Sequence, residues 1–333
     1  MEIIGGQLRM YPPDDEGSHP FGADEWWQES VFVLWYDVVA GVGGMHRIGH
    51  EPHQNGGSAV LYNYLFVGDG VLYKNTQVMP LRAEDRYPNG LGAGPTCRYE
   101  HIGKPVLTFE DEQVAGRLEF EDDHTPIDVF PESAGTLADD FAKNHYEVSG
   151  RVRGTVRVGA RRFDVDSLGY RDHSWGVRDW SAMLTHRWVA GVIDSSLSFC
   201  ALSWLGGNGT VRKFGYVRQG QKVINASEVD ILTAVEVDGL THRGGIVNMT
   251  LVDGQELEIV ARPLVKGIAS FHHDVVCYDN LCQVTLNGQS GICDFETSNN
   301  SMAGTKKPAG LINGVIDNGY YTDALPMTRP VLK

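Results

Sequence analysis

The segment Gly169–Trp180 concentrates residue types that do acid/base chemistry. Asp172 and His173 are adjacent, Arg178 and Asp179 follow, and two tryptophans and two glycines lie among them. An aspartate can orient a neighbouring imidazole and tune its pKa. An indole face offers an apolar wall that also stabilises a passing cation. The segment therefore predicts a catalytic or ligand-contacting loop.

A structural role for the same residues is the alternative. Arg171 and Arg178 could pair with Asp172 and Asp179 in a buried polar network that clamps two barrels together. The two roles are compatible, because a clamp of this kind can also present groups to a ligand.

The elements around this segment are predicted to be β-strands. From His145 to Val158, apolar or glycine positions alternate with polar ones, which is the period of a strand with one buried face. Arg161–Ser167 continues the pattern after a turn. The other strand candidates are Ser30–Asp37, Gly44–His50, Ala59–Val67, Val106–Glu110, Arg117–Glu121, Arg187–Asp194, Leu197–Leu205, Val211–Val217, Ile246–Val252 and Glu256–Pro263. Only Thr136–Asn144 has helical character, so we expect under about one-fifth helix and an all-β sandwich or barrel.

Ala59–Val67 is apolar on both sides, which is typical of a barrel wall that also lines a ligand cavity. We expect Asp172, His173 and Trp175 to border such a cavity. The aromatic residues predicted to reach it from the N-terminal barrel are Trp35, Tyr36, Tyr62 and Tyr64.

Composition excludes several classes of partner. The formal charge of -15 and the lack of a Lys/Arg cluster argue against nucleic acid. No apolar run approaches a membrane helix, and the first residues lack the features of a signal peptide. Five cysteines form an odd, sparse set that favours reduced, buried thiols and a cytoplasmic location. A monomer or a homodimer is expected.

No metal site is predicted. His46, His50 and His53 lie among glycines and a proline, so they cannot share a helix face. Cys277, Cys282 and Cys293 lack the paired spacing of zinc knuckles.

The segment Asp172–Arg178, read as Asp-His-Ser-Trp-Gly-Val-Arg, resembles the signature of the AttH/carotenoid 1,2-hydratase superfamily. That resemblance implies two lipocalin-like antiparallel β-barrels side by side, over 1–165 and 166–333, with the signature in the second. It also implies an apolar substrate and no cofactor. By position, Asp172, His173 and Trp175 match the catalytic region, and Asp194 is the nearest match to a downstream catalytic aspartate. No tyrosine stands beside Asp194, and Ser174 replaces the usual asparagine.

These observations predict an enzyme that hydrates, dehydrates or isomerises a C=C bond of an isoprenoid, alicyclic or polyketide-derived molecule. Arg178, Asp179 and Trp188 are expected to bind the substrate, together with the four aromatic residues named above. Two alternatives remain open, a non-catalytic carrier of a hydrophobic ligand and a pericyclase-like cyclase.

Overall fold

The computed structural model describes residues 2–3, 10–11, 15–68, 72–130, 141, 143–207, 209–236, 241–273, 275–300 and 319–321. Strands make up 73% of the structure and helix 2%, which confirms the predicted all-β class. Within the described residues the helical segments are two single 3-10 turns, Ala83–Asp85 and Trp180–Ala182. Most of the helix candidate Thr136–Asn144 lies outside the described residues, and Asn144 itself begins a strand. None of the helices in this described part has the length and apolar composition needed to cross a membrane.

In chain order the strands are β1 (Glu2–Ile3), β2 (Trp27–Asp37), β3 (Val42–Glu51), β4 (Ser58–Val67), β5 (Leu72–Pro80), β6 (Arg86–Tyr87), β7 (Gly90–Ala93), β8 (Cys97–His101), β9 (Pro105–Glu110), β10 (Val114–Asp122), β11 (Ile127–Asp128), β12 (Asn144–Val158), β13 (Arg161–Val177), β14 (Met183–Asp194), β15 (Leu197–Gly206), β16 (Val211–Gln219), β17 (Lys222–Val235), β18 (His242–Leu251), β19 (Glu256–Pro263), β20 (Ile268–His272), β21 (Val275–Leu286), β22 (Gln289–Asn300) and β23 (Gly319–Tyr321). All the predicted strands are present. The sequence did not indicate the short strands β1, β6, β7, β8, β11, β20 and β23. Among the longer strands it missed β5, β17, β21 and β22, because polar residues such as Asp279 and Asn280 interrupt their apolar alternation.

Backbone contacts divide the chain into an N-terminal unit, residues 8–178 and 318–323, and a C-terminal unit that holds the remainder. In the N-terminal unit the strand order is β23-β5-β4-β3-β2-β13-β12-β10-β9-β8-β7-β6, with β11 on β12. This antiparallel sheet curls into a half-barrel. Its core contains the alternating apolar residues of β2 and β12, including Val31, Val33, Val152 and Val156.

The C-terminal unit is a closed antiparallel barrel of eight strands. The order β16-β15-β14-β22-β21-β19-β18-β17 closes because β17 also pairs with β16. Phe199, Val247 and Phe295 are fully buried in its core. The lipocalin-like fold class is therefore confirmed, with one closed barrel and one half-barrel.

The boundary expected at 165/166 falls inside β13. That strand is paired with β12 from Arg161 to Trp175 and with β2 from Leu168 to Val177. The signature residues 172–178 consequently belong to the N-terminal unit, which extends to Arg178.

Candidate functional site

The signature segment is a central strand of the half-barrel, so the expectation of a loop was wrong. In β13, His173 lies opposite Val31 of β2 and Tyr146 of β12, and Asp172 lies opposite Phe32 and Glu147. Successive side chains of a strand point to opposite faces. Asp172 and His173 therefore cannot act as an adjacent pair. We call the side of Arg171, His173 and Trp175 the inner face, and the side of Asp172 and Ser174 the outer face.

On the inner face, His173 has a hydrogen-bond partner at each ring nitrogen. Its Nε2 lies 3.0 Å from Glu29 Oε1, and its Nδ1 lies 3.3 Å from the Tyr146 hydroxyl. His19 donates to the same carboxylate, from Nδ1 at 2.7 Å and from its backbone amide at 3.1 Å. Burial raises the pKa of Glu29, but the hydrogen bonds from His173 and His19 outweigh it and bring the pKa to about 2.

Arg171 extends this inner network. Its fully buried guanidinium donates to Glu16 at 2.8 Å, to Asp122 at 2.6 Å and to the Tyr99 hydroxyl at 3.1 Å. Burial raises the pKa of Glu16, but the charge of Arg171, together with the hydrogen bonds from Tyr146 and Arg171 and the charge of His173, lowers it below its ordinary value. The expected pairing of Arg171 with Asp172 was wrong, because the two residues face opposite sides of the sheet.

An aromatic stack lies beside His173. The indole of Trp175 stacks on the His19 ring with centroids 3.8 Å apart and an interplanar angle of 8°. Tyr11 and Tyr146 meet the same indole edge-on. His173 is fully buried, whereas the His19 side chain is 19% exposed.

On the outer face, Asp172 lies near a second histidine that the sequence did not single out. The Asp172 carboxylate is 3.6 Å from His145 Nε2, and the two side chains are 12% and 10% exposed. Among the residues that the structure describes, neither ring nitrogen of His145 has a hydrogen-bond partner. The Phe130 ring meets this imidazole edge-on at 5.9 Å.

Two hydroxyls continue the outer face beside His145. Ser174 lies opposite His145 on one side and Ser30 on the other, and the two serine hydroxyls are 3.2 Å apart. Arg178 donates to Ser174 Oγ at 3.1 Å and to the side-chain oxygen of Gln28 at 3.2 Å. The expected partner of Arg178, Asp179, instead accepts hydrogen bonds from Ser181 and caps the 3-10 turn.

The four aromatic residues expected at the site divide between the two faces. Trp35 is on the inner face, where its indole N–H donates to His46 at 3.0 Å. Tyr36, Tyr62 and Tyr64 belong to the outer face by register, and all three are buried.

Two further predicted residues lie in the C-terminal unit. Asp194 ends β14, and its carboxylate caps the following hairpin by accepting from the Ser196 backbone amide at 2.7 Å and hydroxyl at 2.8 Å. Trp188 is a buried residue of β14. Asp194 therefore stabilises the turn between β14 and β15.

The histidines and cysteines excluded as metal ligands make separate contacts. His46, His50 and His53 form hydrogen bonds to Asn63, to Gly92 O and to Gly22 O, and the five cysteines, all in described strands, are buried and form no disulfide. Two other sets bring possible ligand atoms within 4.8 Å of one another, namely His19, Glu29 and His173, and Asp279, Asp294 and Glu296. In the first set the hydrogen bonds described above already satisfy the Glu29 carboxylate.

A pocket of about 610 Å³ opens elsewhere in the N-terminal unit. Its wall includes Arg98, Arg117, Arg157 and Arg162 together with several threonines. No residue of the signature lines it.

Glu29, Tyr146 and His145 are the site residues that sequence reasoning missed. Glu29 had a usable signal, because strand alternation places it on the same face as Trp27 and Val31, where a buried carboxylate needs a partner. The partners themselves depend on pairing between strands distant in sequence.

Comparison with known proteins supports this fold. The family model described as "Domain of unknown function (DUF7064)" matches residues 12–301. A candidate AttH from Nitrosomonas europaea superposes with a TM-score of 0.67 at 12% identity, covering 90% of this chain and 99% of that one. Kievitone hydratase from Nectria haematococca gives 0.62 at 10% identity, covering 90% and 96%, and CghA with Sch210972 gives 0.58 at 10% identity, covering 90% and 97%. These similarities confirm the predicted resemblance at the level of the fold. No curated protein matches the sequence.

Proposed function

The chain belongs to the DUF7064 family, and on its AttH-like fold we propose that it is an enzyme that adds, removes or relocates a proton at a C=C bond of an apolar small molecule. Hydration, dehydration and isomerisation share this chemistry. The substrate classes proposed are isoprenoid, alicyclic and polyketide-derived molecules. The reaction needs no cofactor, because a carboxylate and an imidazole supply the acid and the base.

The observation that carries the proposal is the pair formed by His145 and Asp172. Buried polar groups are nearly always hydrogen-bonded, so a buried imidazole with two unpartnered nitrogens invites a ligand that completes it. The Asp172 carboxylate lies 3.6 Å from Nε2, where it can orient the imidazole. Together they make a proton donor and acceptor on the face that also holds Tyr62 and Tyr64.

In the proposed hydration, the imidazolium of His145 transfers a proton to one carbon of the double bond. The other carbon becomes cationic and takes up a water molecule, whose spare proton returns to the imidazole. One C–H and one C–O bond form, the C–C π bond and one O–H bond of water break, and no redox partner is consumed. Asp172 lies beside the imidazole that exchanges the proton, and the Phe130 ring next to His145 provides an aromatic wall for the cationic carbon.

His173 takes a positioning role in this scheme. Both of its ring nitrogens are engaged and its side chain is fully buried, so it holds β13 against β2 and β12 through Glu29 and Tyr146. Trp175 supports the same network by stacking on His19.

Two proteins of the same fold support the reaction class. Kievitone hydratase is named for a hydration, and CghA was crystallised with the small molecule Sch210972. Relatives this distant establish the fold alone, so the chemistry depends on the geometry of His145 and Asp172.

The test is isotope incorporation into a panel of prenylated phenols, terpene alcohols and unsaturated alicyclic acids. Incubation in H₂¹⁸O detects water addition by mass, and incubation in D₂O detects proton transfer without net addition. His145→Gln should lower turnover by about 10²–10⁴, the usual effect of losing a general acid/base.

The matched control is His124→Gln. His124 is also buried and bonds to Ser149, a neighbour of His145 on the outer face of β12. This control should retain turnover. Binding of panel compounds without isotope incorporation would favour a carrier, and product formed without deuterium uptake would favour a pericyclase. Full activity in His145→Gln would refute the assigned acid/base pair.

A further inference from the structure

We propose that the outer face of the N-terminal unit binds a carboxylate group of the substrate, held by Arg47 and by the hydroxyls of Ser30 and Ser174. This inference rests on the proposed function. It narrows the proposed substrate to an apolar molecule that carries one carboxylate group.

Arg47 is a buried cation that lacks a counter-ion within the described structure. Arg47 is 7% exposed, and no described residue accepts a hydrogen bond from either terminal nitrogen of its guanidinium. The guanidinium lies over the Tyr62 ring in a cation–π contact, with its central carbon 5.6 Å from the ring centroid. A buried charge normally has a paired, hydrogen-bonded partner. An anionic ligand would supply one here.

The position of the guanidinium is set by Gly49. A Cβ at Gly49 would lie 2.6 Å from Arg47 Nη1 and 3.0 Å from both Cζ and Nη2, so the guanidinium lies directly over the glycine backbone. Because residues two apart in a strand share a face, Arg47 and Gly49 both belong to the outer face of β3.

That position aligns Arg47 with the serine hydroxyls and with His145. Gly49 lies opposite Ser30, Ser30 opposite Ser174, and Ser174 opposite His145, which forms one row across β3, β2, β13 and β12. With strands about 4.8 Å apart, the guanidinium lies roughly 10 Å from the strand that carries Asp172. A substrate that spans this row can place its carboxylate on Arg47 and its double bond beside His145.

A carboxylate fits the site formed by Arg47, Ser30 and Ser174 better than a phosphate does. One guanidinium matches one carboxylate in a bidentate pair, and hydroxyls can donate to the same oxygens. The formal charge of -15 opposes a dianion more strongly than a monoanion.

The experiment measures binding, so that it can succeed or fail independently of turnover. The His145→Gln protein is titrated with cis-parinaric acid and with its methyl ester, and fluorescence reports both affinities. The acid should bind about tenfold or more tightly than the ester, the range expected for hydrogen bonds to a charged group.

Arg47→Met in the same background should bring the two affinities within about twofold of each other. Gly49→Ala should weaken the preference for the acid while retaining the charge, because the new methyl group displaces the guanidinium. Arg117→Met removes a 57% exposed arginine of the same unit and should retain the preference.

Equal affinity for acid and ester in the parent protein would overturn the proposal. So would a preference for the acid that survives Arg47→Met. Dodecyl phosphate is compared with dodecanoate in parallel, and tighter, Arg47-dependent binding of the phosphate would refute the choice of a carboxylate. None of these results depends on whether the wild-type protein turns over a substrate.

Discussion

The inner and outer faces of β13 are similarly polar but differ in how their polar atoms are paired. On the inner face, Arg171 and His173 have partners for their charged or ring nitrogens. On the outer face, His145 and Arg47 are buried, and two nitrogens of each lack a hydrogen-bond partner within the described part of the chain. A completely paired network holds strands in register, whereas unpartnered groups mark where a ligand can supply the missing partner. One strand can thus serve both stability and chemistry.

The largest expected effect is a difference in stability between substitutions of the two buried arginines, Arg171 and Arg47. Arg171→Met leaves the Glu16 and Asp122 carboxylates without their cation and should cost about 3–5 kcal/mol in the free energy of unfolding. Arg47→Met removes a charge with no counter-ion and should leave stability unchanged or increased. Urea unfolding of both variants checks this, and equal losses would contradict the difference drawn between the faces.

The pH dependence of stability should depend on Glu29. Its pKa in the folded protein is about 2, against an ordinary value of 4.5, so its stabilisation is complete above pH 4.5 and is lost as the pH falls toward 2. Between pH 6 and pH 3 the wild type should lose about 2 kcal/mol more than Glu29→Gln does. Urea titrations at both pH values measure the difference. Parallel losses in the two proteins would show that Glu29 is not strongly paired.

A smaller effect is expected from Tyr146→Phe. The change removes only the hydroxyl that lies 3.3 Å from His173 Nδ1, and should cost about 1 kcal/mol. Thermal melts of the wild type and this variant measure the difference, and an unchanged melting temperature would show that the hydroxyl does not stabilise the inner network.

The smallest effect is expected from chelation. We expect no tightly held metal, because hydrogen bonds from His19 and His173 already occupy the Glu29 carboxylate. Dialysis against EDTA should leave the melting temperature unchanged. Stoichiometric zinc or iron in the purified protein, lost together with a lower melting temperature, would show that the inner face is a metal site instead.

The sequence predicted the fold class and most strand positions because they depend on local alternation. His145–Val158 is the clearest case, since its alternating pattern appears as β12. The same rule could have placed Asp172 and His173 on opposite faces. The rule was not applied to Gly169–Trp180, because the polar residues of that segment argued against a core strand.

The partners of the signature residues could not be predicted in this way. Glu29 is 144 residues from His173 and Glu16 is 155 from Arg171, so their contacts follow from the pairing of β2 with β13 and from the course of the preceding chain. The unpartnered nitrogens of Arg47 and His145 in the described structure were equally hidden, because a missing hydrogen-bond partner is a property of the assembled sheet.

The most direct test compares Asp172→Asn with His173→Gln, using whichever panel compound the wild type converts fastest. Turnover per folded molecule and melting temperature are measured for both variants. We expect Asp172→Asn to melt near the wild-type temperature and to lose about 10²-fold or more in turnover. We expect His173→Gln to melt at a lower temperature and to keep its turnover within about tenfold of wild type. The opposite pattern, with His173→Gln stable but inactive and Asp172→Asn fully active, would place the chemistry on the inner face and contradict the acid/base role of His145 and Asp172.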